Sequence, residues 1–140
     1  MRLVRRKAAR GTGQRGSVMV ESALTLLLFL MFLLGIFDFG RMIYCYNYVS
    51  YTARRATRYA SMRGNSSGSP VSASDIQTWV RNNAVGVYPS SLVVTTTWSP
   101  DNKPGSTVQV RVRCDFQPVI PFLPNTIIQL KSTSKMVIGL

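Results

Sequence analysis

Residues 16–41 read GSVMVESALTLLLFLMFLLGIFDFGR, and the fold of the whole chain turns on them. From Ser17 to Phe37 the single charge is Glu21, and the centre is built from Leu24, Leu26, Leu27, Leu28, Phe29, Leu30, Met31, Phe32, Leu33 and Leu34. As a helix this run is roughly 31 Å long, close to the hydrocarbon thickness of a bilayer. Between residues 23 and 37 only Thr25 interrupts the apolar surface, so there is no polar face for a helix lying flat on a membrane. A cleaved secretory signal is also disfavoured. The exit, Gly35-Ile36-Phe37-Asp38-Phe39-Gly40-Arg41, has no pair of small residues in A-x-A spacing before the charges begin. The stretch reads as a permanent membrane span over about 18–38.

Working outward toward the N-terminus, Arg2, Arg5, Arg6, Lys7, Arg10 and Arg15 stand without an acid among them, punctuated by Gly11, Gly13 and Gly16. These six cations belong to a tail rather than a domain, and by the positive-inside bias they put the N-terminus in the cytoplasm. They also change the meaning of the net charge of +12, from 17 Lys and Arg against 5 Asp and Glu. Charge held in a tail is not a footprint for nucleic acid, and the remainder is spread without aromatic interleaving on one strand face. With no histidine in 140 residues, Ser-His-Asp triads, Cys-His pairs and histidine-ligated metals are excluded. No cofactor or metal is expected.

Outward toward the C-terminus, no proline occurs before Pro70, so the helix can run on past the membrane. Met42, Cys45, Val49, Ala53, Ala56 and Ala60 recur at helical spacing, with Arg41, Tyr44, Tyr48, Tyr51, Arg55 and Arg58 on the other side. Gly64 and the turn-rich Asn65 to Pro70 end it. Ser74 followed by Gln77 suggests a capping box for a short helix carrying Ile76, Trp79 and Val80. Beyond it the period changes to two. Leu92 to Trp98 is β-branched, Ser106 to Phe116 alternates with Val108, Val110, Val112, Cys114 and Phe116 on one face, and Thr126 to Ile138 supplies a third strand. The expected fold is α+β: one long N-terminal helix packed on a small three-stranded antiparallel sheet. Its divisions are a basic leader at 1–16, the long helix at 17–63 and a small exported domain at 64–140.

Four groups of side chains outside the leader junction carry further expectations. Asp38 and Arg41, at i and i+3, read first as an interfacial ion pair that ends the span, and second as a subunit-to-subunit contact. Cys45, on the stripe facing the sheet, and Cys114, on the inward face of its strand, suit a disulfide tying helix to sheet, with two buried free thiols as the alternative. Tyr44, Tyr46, Tyr48 and Tyr51 read first as an interfacial belt and core contacts, and second as an adhesive surface. Arg54, Arg55, Arg58 and Arg63 read as a solvated or headgroup-facing side before they read as a phosphate grip.

The junction of tail and span is the most informative motif. Gly16 ends the basic leader and Glu21 follows five residues later, inside a run that should be wholly apolar. A carboxylate at mid-bilayer costs about 2.5–3.5 kcal/mol, and less near the interface. Cleavage after Gly16 would leave the α-amine of Ser17 about one helical turn from Glu21, where a neighbouring copy's Glu21 can neutralise it. This spacing resembles the class III leader of type IV prepilins and pseudopilins. Together with Gly35 to Arg41 and Ala53-Arg54-Arg55-Ala56-Thr57-Arg58-Tyr59-Ala60, it resembles the TadE-like family; Gln117-Pro118-Val119-Ile120-Pro121-Phe122-Leu123 and Ile127 to Met136 are similar to that family's proline-containing loop and last strand. An aromatic often follows the glutamate in that family, and here the residue is Ser22.

The resemblance implies a minor pilin or pseudopilin of the tight-adherence, Flp-type pilus machinery: not an enzyme but the substrate of a prepilin peptidase. Its implied site is Gly16, Ser17 and Glu21 for processing, with Glu21 also forming the assembly salt bridge. Its implied partners are that peptidase, other pilins or pseudopilins, the inner-membrane assembly platform and membrane lipid. It would lie in the bacterial inner membrane as a single-pass protein with its C-terminal domain periplasmic or extracellular. The alternatives are a pilin-like DNA-binding or uptake component and an uncleaved, membrane-anchored binding protein.

Overall fold

The computed structural model describes residues 13–120 and 126–139. The first twelve residues of the basic leader, and Pro121, Phe122 and Leu123 of the proline-containing loop, lie outside the described residues. The fold is α+β. Helix α1 (Gly13–Ser61) is followed by α2 (Ala73–Asn82), a 3-10 turn at Pro89–Ser91 and three strands, β1 (Leu92–Ser99), β2 (Thr107–Phe116) and β3 (Ile128–Val137). The strands form one antiparallel sheet in the order β1-β2-β3.

α1 has 49 residues and is therefore about 73 Å long. Its two halves have opposite surroundings. The first contains a window of mean hydropathy 2.3, none of which is buried, and is long and apolar enough to cross a membrane. Leu28 is 64% exposed and Phe32 67%. In the second half, here called the stem, Val49, Ala53, Ala56 and Ala60 are buried beneath the sheet, as their helical spacing predicts, with Cys45 packed at the edge of the same core. The opposite wall of the core comes from Val108, Val110, Val112 and Cys114 of β2, with Leu92 and Val94 of β1.

Small side chains set the distance between these layers. With alanine at 53, 56 and 60 the stem lies close against β2 and β3, and Thr57 sits in the same contact, donating its hydroxyl to the Ala53 carbonyl at 2.7 Å and lying 3.4 Å from the Ser134 carbonyl. The helix ends at Ser61, two residues before the expected limit, and its last carbonyl accepts the Gly139 amide at 3.3 Å. The final backbone of the described chain is thereby tied to the far end of the stem.

α2 covers the part of the sheet that the stem leaves, packing on β1 through Ile76 and Val80. Its cap differs from the expected Ser74–Gln77 box. Ser72 is the N-cap and Asp75 the N3 residue: the Asp75 amide donates to Ser72 Oγ at 3.3 Å, and the Ser72 amide donates to Asp75 Oδ2 at 2.9 Å. Aspartate at N3 also places its negative charge in the first turn, where the helix dipole favours it, an advantage that neutral Gln77 lacks. At the β1–β2 turn, Asp101 Oδ1 accepts the Ser106 hydroxyl at 2.6 Å and the Lys103 amide at 3.2 Å.

Because Ala56 is enclosed on the sheet side, Ala56→Leu is expected to lower stability by about 1–3 kcal/mol. The same change at exposed Ala23 should leave stability unmoved, and thermal unfolding in detergent or nanodiscs compares the two. Acid has a second, separable effect. The Ser72 contacts hold the Asp75 carboxyl below its ordinary value, and the Ser106 hydroxyl does the same for Asp101. Their stabilising contribution is complete above the unfolded carboxylate value near pH ~4 and is lost as pH falls through the lowered folded values. Unfolding followed across that window should lose part of its slope in the Asp75→Asn, Asp101→Asn double variant.

Candidate functional site

The uncovered apolar half of α1 and its covered half meet at one acidic residue. Asp38 follows the leucine-rich stretch directly, yet it is only 4% exposed. Its Oδ1 accepts a hydrogen bond from the Arg41 guanidinium at 2.8 Å, the ion pair expected from the i, i+3 spacing. Its Oδ2 accepts two backbone amides from the segment after β2, Val119 at 2.7 Å and Ile120 at 3.0 Å. The second set of partners is not legible in the local sequence. A charged acceptor strengthens each such bond to about 1.5–3 kcal/mol, so the carboxylate fastens the chain beyond the sheet to the head of the stem. Arg41, with its side chain 36% exposed, also lies over the Phe116 ring at 5.2 Å. The pair therefore clasps both the last residue of β2 and the loop that follows.

Above this clasp lies an open cleft of about 1220 Å³ between the stem, the segment after α2 and the end of β2. Tyr44 defines its wall on the α2 side. The Tyr44 hydroxyl donates to the Val85 carbonyl at 2.8 Å, and one turn on, the Tyr48 hydroxyl donates to Asn83 O at 3.3 Å. Gly86 allows this approach: its φ is +69°, and a Cβ there would meet the Tyr44 hydroxyl at 2.6 Å. Tyr48 packs against the core, whereas Tyr44, despite its bond to Val85, stays exposed together with Tyr46 and Tyr51. The basic side of the stem also divides. Arg55 lies over Tyr51 and Trp79, and Arg63 over Tyr59, which itself stacks on Trp79 at 4.9 Å. All four of Arg54, Arg55, Arg58 and Arg63 are exposed.

Cys45 and Cys114 both line the cleft, one from α1 and one from β2. They are free thiols in this structure, so the bond favoured from the sequence is not formed here. The expectation that they face one another from helix and strand agrees with their position. Cys114 is buried and Cys45 partly covered. Burial first, and then the neighbouring Cys114, push the Cys45 thiol above its ordinary value, with Arg41 pulling the other way.

At the other end of the chain, Gly16, Ser17 and Glu21 lie in the exposed first turns of α1. Thr25 donates its hydroxyl to the Glu21 carbonyl at 2.9 Å, a contact within the helix. The processing residues and the Asp38 clasp are thus brought to opposite ends of the apolar stretch rather than into one place. Among the described residues, no three His, Cys, Asp or Glu side chains gather as a metal site.

Residues 16–58 match the model of the TadE-like protein family. The matched stretch starts at the leader glycine, takes in Glu21, the apolar run, the Asp38–Arg41 pair and Cys45, and ends within the stem. The whole sheet lies beyond it. No curated protein and no solved structure matches the chain. The matched stretch therefore covers the apolar half of α1 and most of the stem on which the sheet packs.

If the carboxylate is what fastens the loop, Asp38→Asn should strip the charge from the bonds while keeping the side chain's shape. Hydrogen exchange at Val119 and Ile120 is expected to accelerate by about tenfold or more, at about 1.4 kcal/mol per decade. Arg41→Gln should act in the same direction but more weakly, since its side chain is partly in solvent. Amides in the centre of β2 should be unaffected by either.

Proposed function

We propose that the chain is a minor pilin or pseudopilin of the tight-adherence, Flp-type pilus machinery, a structural component rather than an enzyme. It inserts in the bacterial inner membrane with its N-terminus in the cytoplasm, is cut after Gly16 by a prepilin peptidase, and presents residues 64–140 outside. Other pilins or pseudopilins, the assembly platform and lipid are its partners, and it contributes to assembling, priming or tipping the fibre.

The observation that carries this reading is the pairing of Gly16 and Glu21 at the head of an apolar helix that no other part of the described chain covers. A helix exposed on every side has two environments open to it: lipid, or similar helices in an assembly. A carboxylate near its start suits the second as well as the first. Cleavage turns Ser17 into a cationic amine, and a neighbour's Glu21 offsets that charge when the helices gather in parallel. The stem and sheet then keep a folded domain at a fixed place beyond the membrane. This is a role in which packing surfaces matter and acid–base groups do not.

N-terminal sequencing of protein purified from its native membrane is expected to begin at Ser17, and Gly16→Leu is expected to leave a chain that still begins at Met1. An uncut wild-type chain would contradict the pilin reading and favour a membrane-anchored binding protein. Glu21→Gln should be cut normally yet be recovered with pili at least about tenfold less than wild type, because the amine loses its counter-charge.

A further inference from the structure

We propose that Cys45 and Cys114 are oxidised to a disulfide in the exported protein, and that this bond is the covalent lock on the joint between stem and sheet. The inference rests on the export proposed above, since disulfides persist in oxidising compartments. Its geometric basis lies in the cleft. The two side chains belong to different elements, α1 and β2, both line the same cleft, and Cys45 packs against the buried cluster that contains Cys114. Their backbones are held there by interactions that owe nothing to a bond: Cys114 pairs with Leu92 on one side and Leu130 on the other, and Cys45 lies within a continuous helix. These are the chain's 2 cysteines, so within one molecule no other pairing competes.

The chemistry is a thiol–disulfide exchange, with a disulfide-bearing protein oxidant of the exported compartment as electron acceptor. Cys45 is the entry point, because it is only partly covered while Cys114 is buried. The Cys45 thiolate attacks one oxidant sulfur, forming a mixed disulfide and releasing the other sulfur as a thiolate. The Cys114 thiolate then attacks Cys45 Sγ, closing the intramolecular bond and expelling the oxidant's remaining sulfur. Two electrons pass to the oxidant, and the two protons lost by the cysteines end on its dithiol. Ser91 Oγ, 3.7 Å from Cys114 Sγ, is a polar neighbour for that thiol as it gives up its proton.

The location gives the bond its purpose. Cys45 lies about two turns beyond Asp38, and Cys114 lies just before the segment whose Val119 and Ile120 amides that carboxylate holds. The clasp and the bond therefore secure the same corner of the domain, one by charge and the other covalently. Load applied along the apolar helix reaches the sheet first at this corner, and the bond keeps the sheet from peeling away from the stem.

The test uses the full chain in its native host, with a membrane-impermeant maleimide added outside before lysis and denaturation. A reporter of topology, independent of the bond, is S69C in a C45S/C114S background, because Ser69 lies in the exposed linker. The expected result is external labelling of S69C, with wild-type Cys45 and Cys114 taking label after denaturation only when a reductant has been added. Labelling of S69C together with labelling of denatured wild type without reductant would overturn the disulfide and leave export standing. S69C that labels only after lysis would overturn the export reading, and this inference with it. Stability reports the locking role: C45S and C114S should each melt roughly 10 °C below oxidised wild type and coincide with reduced wild type. Equal melting of oxidised and reduced wild type would overturn that role.

Discussion

A single carboxylate marks where one solvent ends and another begins. Before Asp38, α1 offers leucine and phenylalanine to whatever surrounds it; after Asp38, the same helix carries its own cover. The side chain is buried, and burial of an anion is tolerable only with full compensation. Here Arg41 supplies charge and two backbone amides supply hydrogen bonds, so both oxygens are satisfied. The amides come from the loop beyond β2, which means that the carboxylate is compensated only when the sheet is docked. Docking of the domain and termination of the apolar helix are thus one event.

The stem shows how this joint extends into a packed layer. Alanine at 53, 56 and 60 costs little side-chain entropy and lets a sheet approach the helix closely. The apolar half instead uses long side chains, which suit a surface shared with lipid chains or with neighbouring helices. One continuous helix thereby serves two packing problems by a change of side-chain size, with no break in its backbone. Tyr44 and Tyr48 extend the contact sideways to the segment after α2, and their hydroxyls accomplish this by bonding to carbonyls that helix and strand leave free.

Much of this was legible from periodicity. The lengths and faces of the helix and of β2 follow from spacings of 3.6 and 2, because each has one surface that must be dry. β3 conforms to its period more loosely: Ile128 and Leu130 are half-covered and Met136 is exposed, as suits an edge strand. What sequence reasoning missed lies in contacts between distant parts. Nothing near Asp38 signals that its second oxygen will meet Val119 and Ile120, since those partners are backbone groups without a side-chain signature. The α2 cap moved from Ser74 to Ser72 because serines two residues apart offer competing boxes, and the acidic N3 residue decides between them. Arg55 and Arg63 are exposed, as the helical wheel suggests, and the wheel gives no sign that Trp79 of α2 comes beneath the Arg55 guanidinium.

The TadE-like stretch coincides with the elements that set this arrangement, the apolar half of α1 and most of the stem, and leaves the sheet to be understood from its own packing. A change of environment for α1 at Asp38 is open to nitroxide scanning of residues 20–60 in nanodiscs, on a chain with both cysteines replaced by serine. Oxygen accessibility is expected to show no helical modulation up to Phe37. At residues 38–41 it should change to a helical alternation, with labels at 49, 53, 56 and 60 shielded from oxygen and from a water-soluble relaxant alike. Access of the water-soluble relaxant to the leucine-rich half, or an accessibility profile that passes through residues 38–41 unchanged, would contradict it.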